Sequence, residues 1–499
     1  MHPYSRALVV LLVATTLARG VFAGLLDLGQ DEAYAFAVSH PFQLSFFDHP
    51  PLSFWIAGLM RTLFGDGLSP LVLRLPFLLM FTGSTWALFS LTARLYDERA
   101  GIWAAGLFNL APFFFASAGG WVVPDGPLTL FLLLAALFLV RALSDKPELS
   151  GLWRDWLCAG LFFGLALLSK YQAGLVLLGA FIYLLASNKR TWLARPEPYV
   201  AAALALLIFS PVIWWNAAHG WISFRFQTGR GAGSSGFEVA RLLQLLIGEA
   251  VYLQPWIAIG LVTGLISGWR RGGEGRLLVA LALPAIVLFN LLPLFGPAGL
   301  PHWSMAGWLF LFPALGDLLA RSRLAGRTWP VVFSGLSALT ILGLAVSALA
   351  LGSNYRIVSG NPDLNYYLAE ATSWTGVAES LRAKGLLDRP NTFYAALNWQ
   401  DGARVAEAVR PADPVVVFGS DPRGFAFVAS PAAHLGEDAL FVVRAEDTTS
   451  TTDFAAKYFD TVETVGTFTT TKGGTPAFSN TVLLAHRLKQ VPERPYGVQ

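Results

Sequence analysis

SRALVVLLVATTLARGVFAGLL (5–26) runs straight into DLGQDEAYAF (27–36). The first stretch is long and apolar enough to cross a bilayer, which takes about 17–25 residues. The second brings Asp27, Asp31 and Glu32 to one end of it. A membrane-length run ending in acids sets the theme of the chain. Of 499 residues, 55% are apolar and only 13% charged, against about 25% charged in a soluble domain. The composition excludes a soluble enzyme and a disordered chain. One cysteine, Cys158, excludes a disulfide framework and a cysteine metal site. A net charge of +3 is too balanced for a nucleic-acid binder, so no nucleic-acid partner is expected.

Working outward, apolar runs recur near 70–93, 100–120, 124–143, 155–169, 171–187, 199–216, 242–268, 277–295, 303–320 and 329–351. With 5–26 they predict about eleven spans. PPLSFWIAGLMRTLF (50–64) is apolar on one side only and predicts an interfacial helix. With the N-terminus cytoplasmic, 15 of the 22 basic residues in 1–351 fall on inner segments, among them Arg94, Arg99, Arg270 and Arg271. That pattern follows the positive-inside rule. A cleaved signal peptide is the alternative for 1–26, although Arg19 interrupts the run.

Residues 352–499 hold 13 basic against 16 acidic residues and have an ordinary composition. Strand-like runs at 393–397, 414–419, 439–444 and 481–488 alternate with helical patterns at 374–385 and 401–410. They predict a small soluble α/β domain. No nucleotide-phosphate loop is present, so no nucleotide cofactor is expected.

Ionisable groups at membrane depth are expensive and therefore mark function. Here they gather on the outer side: Asp31 and Glu32, Asp48 and His49, Asp125, Lys170 and Tyr171, Arg225 and Arg230, Glu249, and His302 beside Trp303. Each also has a plainer reading. Asp31-Glu32 suits the N-terminal turn of a helix. FFDHPPLSFW (46–55) suits an anchoring loop, or a rigid turn presenting Asp48 and His49 to a metal, a phosphate or a sugar. Asp125 suits a helix cap, and Lys170 a snorkelling anchor. His302-Trp303 suits an interfacial aromatic anchor, and Glu249 suits pairing with an arginine. Arg225 and Arg230 lie in an outer loop that should be poor in cations, which favours anion binding.

Carboxylates for proton abstraction and cations for a phosphate, set at one face of an apolar body, suit a lipid-linked phosphate donor. Sugar transfer from such a donor needs a base for the acceptor hydroxyl, a cation for the departing phosphate and a pocket for the sugar. A multi-pass transporter or flippase of a lipid-linked sugar is the alternative. It would place paired charges near the midplane of matching helix repeats, and no repeat is visible.

DEAYAF, FFDHPPLSFW and PDGPL (124–128), with SKYQAGL (169–175), the outer HW and TSWTGVAESLRAKG (372–385), resemble the GT-C glycosyltransferases. The nearest branch holds protein O-mannosyltransferases and bacterial lipid A aminoarabinose and galacturonic acid transferases. The resemblance implies an all-α polytopic membrane domain of about 11–13 helices over 1–351 and a small soluble α/β domain over 352–499. It implies inverting transfer from a polyprenyl-phosphate sugar to a lipid, glycan or protein hydroxyl, in a bacterial inner membrane with the C-terminal domain periplasmic. Asp31 would be the catalytic carboxylate and Asp125 a second essential acid. Asp48 would take the acidic position linked, in the aminoarabinose branch, to a divalent metal. That branch carries Lys before the prolines where this chain has His49, which leaves phosphate binding to Lys170, Arg225 or Arg230.

Overall fold

The apolar runs become helices, some continuous through an internal proline (Pro76, Pro211, Pro284) and others broken at one (Pro112, Pro255). The computed structural model describes residues 3–144, 153–230, 236–322, 334–344, 346, 374–387, 389–472, 475–493 and 495–497. Along the chain, α1 (Pro3–Leu25), α2 (Gln30–Val38), α3 (Leu52–Phe64) and α4 (Pro70–Leu95) come first. Then follow α5 (Glu98–Leu110), α6 (Pro112–Gly120), α7 (Asp125–Ala142), α8 (Trp153–Ser169), α9 (Ala173–Ala186) and α10 (Glu197–Ala218). Next are α11 (Ile222–Gly229), α12 (Val239–Leu253), α13 (Pro255–Arg271), α14 (Gly273–Leu291), α15 (Met305–Trp308), α16 (Phe312–Arg321) and α17 (Ser334–Leu344).

Among the described residues five helices are long and apolar enough to cross a membrane, or seven when α5–α6 and α12–α13 each count as one bent span. The remaining expected crossings fall on shorter or interrupted helices. The expected span at 155–169 is the 17-residue α8, and that at 171–187 the 14-residue α9. The run 303–320 is divided among α15, a 3₁₀ turn and α16. Of 329–351, the described part is α17 and residue 346. Residues 50–64 form the short α3, as a one-sided pattern requires.

The packing groups the chain into two units. The first holds residues 1–23, 49–53 and 74–344; the second holds 24–48, 54–73 and 345–499. The expected boundary near residue 351 lies outside the described residues.

In the first unit, helices approach through small residues. A Cβ at Gly164 of α8 would lie 2.8 Å from the Cβ of Ile208 on α10, so only glycine admits this contact. Arg19 in α1 is buried; it donates to the Asn109 Oδ1 at 2.7 Å and to the Phe115 carbonyl at 3.1 Å. These bonds tie α1 to α5 and α6. The two bent pairs turn by 78° and 100°. Pro112 and Pro255 open the second helix of each pair, where a missing N–H and a ring clash stop the preceding turn. At the second bend Gln254 takes φ 70°, and its side-chain amide donates to the Leu110 carbonyl (3.2 Å), freed at the first bend, and to the Ser337 carbonyl (3.1 Å). One break thus satisfies the backbone of the other, as an apolar body requires.

In the second unit, α18 (Thr375–Ala383), β1 (Thr392–Ala396), α19 (Trp399–Val409), β2 (Val416–Val417) and α20 (Phe425–Val428) precede β3 (Asp438–Arg444), α21 (Thr448–Tyr458), β4 (Phe459–Lys472) and β5 (Thr475–Leu488). The sheet order is β2-β1-β3-β5-β4. β1 pairs parallel with β2 and β3, while β5 is antiparallel to β3 and β4. Phe393, Phe418, Phe441, Phe459 and Leu483 fill its core. The four strand-like runs of the sequence each hold a strand. β4 escapes a hydrophobic pattern because it is threonine-rich, FDTVETVGTFTTTK. Also in this unit, α2 packs on α19: Arg404 of α19 donates to the Leu28 carbonyl at 2.8 Å and pairs with Glu407 at 3.0 Å. The Gln30 amide donates to the Gln400 carbonyl at 2.9 Å.

Gln254→Leu leaves the Leu110 and Ser337 carbonyls without this donor. It is expected to cost about 1–3 kcal/mol, seen as a lower unfolding midpoint of the chain in detergent.

Candidate functional site

In the second unit, the acids after the first span are divided by helix geometry. Gly29 is the N-cap of α2, and its N–H donates to the Glu32 Oε2 at 2.7 Å, the reciprocal half of a capping box. Glu32 is buried by that role, whereas Asp31, in the same first turn, is exposed.

Asp48 is buried. The Tyr34 hydroxyl donates to its Oδ1 at 3.1 Å, and the Arg423 Nη1 lies 3.9 Å from its Oδ2. The same Tyr34 oxygen accepts the Gly424 N–H at 2.9 Å. A Cβ at position 424 would stand 2.6 Å from that oxygen, so the residue must be glycine. The Arg423 guanidinium stacks on Trp399 at 4.0 Å, and Trp399 meets Tyr34 edge-on at 5.3 Å. Burial pushes the Asp48 carboxyl up to about 6, with the Arg423 charge opposing the rise. Burial likewise raises the Tyr34 phenol, keeping it a donor.

In the first unit, Lys170 donates to both oxygens of Asp125, at 2.8 and 3.0 Å, with both side chains buried. Asp125 is therefore the counter-ion of Lys170 and not the expected helix cap, since the N-cap of α7 is Pro124. The His302 imidazole lies in the field of this pair and of Arg230. Burial, then the Lys170 charge, hold it down at about 3, so it is neutral at physiological pH. Arg230 stacks over Trp303 at 5.1 Å and Phe226 at 5.5 Å. Tyr171 packs against Phe224 and Phe209. Arg225, on α11, makes no ion pair among the described residues. His49 belongs to this unit and is half-buried.

Among the described residues Glu249 meets no arginine. It accepts from Ser304, from the Asn290 amide at 3.1 Å and from the Trp308 indole at 3.2 Å. Three neutral donors from the α14 and α15 region thereby fix the turn that carries His302.

The expected residues thus form two groups. Asp31, Glu32 and Asp48 belong to one unit; His49, Asp125, Lys170, Tyr171, Arg225, Arg230, Glu249 and His302 belong to the other. Sequence reading missed Tyr34, Trp399, Arg423 and Gly424, and also Asn290, Ser304 and Trp308. Its only available signal was the turn-forming GSDPRGF (419–425). A divalent metal at Asp48 would find one carboxylate, a phenol and a guanidinium, and a guanidinium ligates nothing. Among the described residues no group of three His, Cys, Asp or Glu is placed to hold a metal ion. These residues do not fit the metal.

Residues 48–215 match the family model described as dolichyl-phosphate-mannose-protein mannosyltransferase. The lipid A galacturonosyltransferase RgtD of Rhizobium johnstonii is 26% identical over 382 residues, which cover 74% of this chain and 76% of that protein. Crystal structures of ArnT from Cupriavidus metallidurans, apo and bound to undecaprenyl phosphate, align with a TM-score of 0.65 at 16% identity. They cover 95% of this chain and 97% of ArnT. The Archaeoglobus fulgidus oligosaccharyltransferase aligns with a TM-score of 0.50 at 14% identity, over 91% of this chain and 71% of that one. The chain shares the ArnT fold, and its residues 48–215 resemble that mannosyltransferase family. The family match starts at Asp48 and includes Asp125 and Lys170, while Asp31 and Glu32 precede it and Glu249 follows it.

Two outcomes follow from this geometry. Lys170→Met strands a buried carboxylate and is expected to cost about 3–5 kcal/mol; adding Asp125→Asn is expected to recover most of it, measured by thermal unfolding. Where ionised Asp48 is required, activity falls as pH drops through about 6. Arg423→Gln, which removes the opposing charge, is expected to move that acid limb to higher pH in a pH–rate profile.

Proposed function

We propose that this chain transfers a sugar from a polyprenyl-phosphate carrier to a hydroxyl of lipid A or a related envelope glycolipid. The transfer takes place on the extracytoplasmic face of a bacterial inner membrane. The observation that carries the reading is the exposure of Asp31. Among the candidate acids, Glu32, Asp48, Asp125 and Glu249 are buried. Asp31 is the exposed one, in the first turn of α2 shortly after the first apolar helix, where an acceptor can reach it.

In the proposed step the Asp31 carboxylate takes the proton of the acceptor hydroxyl as its oxygen bonds to the anomeric carbon. The bond from that carbon to the phosphate oxygen breaks, and polyprenyl phosphate leaves with the electron pair, inverting the centre. The candidate cations for the leaving phosphate are Arg225 and Arg230, in line with the anion-binding reading of their loop. The neutral His302 imidazole can donate a hydrogen bond without adding charge. The undecaprenyl phosphate bound in ArnT and the lipid A specificity in the name of RgtD support this donor and acceptor class. The transporter reading is disfavoured, because the relatives found are transferases.

Asp31→Asn is expected to lower transfer by about 10²–10⁴-fold while the protein remains inserted and folded. Mass spectrometry of envelope lipids checks it, and wild-type levels of modified lipid would remove Asp31 from the mechanism. Replacing Arg225 and Arg230 together by Gln is expected to raise the apparent KM for the lipid donor more than that for the acceptor. Unchanged donor KM would assign the phosphate elsewhere.

A further inference from the structure

Five residues beyond Asp31 on α2, about 8 Å along the helix axis, Phe36 helps to wall a cavity of about 360 Å³ in the second unit. His40, Arg61, Arg410, Asp413 and Pro414 also line it. Two guanidinium groups share the Phe36 ring, with Arg61 at 4.3 Å and Arg410 at 5.9 Å. Arg61 gives its Nε to Asp66 at 2.7 Å and its Nη1 to the Phe36 carbonyl at 2.7 Å and the Ser39 hydroxyl at 3.4 Å. Its Nη2 has no partner among the described residues. Arg410 bonds only backbone carbonyls, of Glu407 at 3.2 Å and, at the limit of hydrogen bonding, of Leu68 at 3.5 Å. It makes no ion pair among the described residues, and Asp413 pairs with neither arginine.

Two cations held against one ring repel each other, and an oxyanion between them would relieve that. Arginine forks match phosphate oxygens in pairs. Arg61 also lies on α3, whose Leu59, Leu63 and Phe64 are 55%, 63% and 58% exposed. Such a helix face suits the lipid boundary, so an anion reaching this cavity would arrive on a lipid headgroup.

Resting on the proposed acceptor class, we propose that the cavity between Arg61 and Arg410 is an oxyanion site that holds a phosphate group of the lipid acceptor. It would anchor the acceptor near the proposed base and take no part in bond making. Arg61 and Arg410 are therefore positioning residues.

The test uses the whole chain in phosphatidylcholine nanodiscs, with and without phosphatidic acid, and inorganic phosphate as a second probe. The wild type is expected to bind phosphatidic acid. Arg410→Gln, which disturbs no side-chain ion pair, is expected to weaken that binding by about 10- to 100-fold. Arg61→Lys, which keeps the charge and loses the fork, is expected to weaken it less. In turnover, Arg410→Gln should raise the acceptor KM and leave kcat within about twofold. Equal binding of phosphatidic acid by wild type and Arg410→Gln overturns the site. Inorganic phosphate binding as tightly as phosphatidic acid overturns the lipid source. Because binding is read without turnover, absence of sugar transfer with retained, Arg410-dependent binding would defeat the functional reading and leave the site standing.

Discussion

An apolar body must partner every polar group that it encloses, and this constraint governs the molecule more than any single contact. Breaking α5–α6 and α12–α13 frees carbonyls at membrane depth, and Gln254 at one break answers Leu110 at the other. Buried Arg19 is spent on Asn109 and two carbonyls. On α8, fully buried Asp155 lies 3.2 Å from Arg141 of α7, and Asp317 of α16 meets Arg321 and Arg271. Several arginines of the inner segments therefore also serve as counter-ions.

The same constraint sorts the acids of the candidate site. A carboxylate that is capped, paired or triply bonded is held in place by its partners. Glu32, Asp125 and Glu249 are of this kind and build the frame. Asp48 sits between the two cases. Burial raises it, Arg423 opposes the rise, and Tyr34 bonds it while taking the Gly424 N–H. Asp31 remains exposed at the start of a helix.

Residues 24–48 and 54–73 pack with the C-terminal residues, so the second unit is assembled from distant parts of the chain. Trp399 and Arg423 thereby reach a tyrosine and an aspartate that precede them by more than 350 positions. The oxyanion cavity arises likewise, with Phe36, Arg61 and Arg410 drawn from three separate stretches.

The sequence by itself determined the helical membrane body, the small α/β region and the clustering of acids and cations near span ends. These rest on local quantities: the length of an apolar run, its period, and the cost of a charge within it. β4 escaped because its threonines carry no apolar alternation. Only the tertiary structure decided that Lys170 neutralises Asp125, that Glu249 takes three neutral donors instead of an arginine, and that Arg423 answers Asp48. A pairing between residues far apart in sequence leaves no periodic trace, and its partner is fixed only when the backbone brings two buried groups within hydrogen-bonding distance.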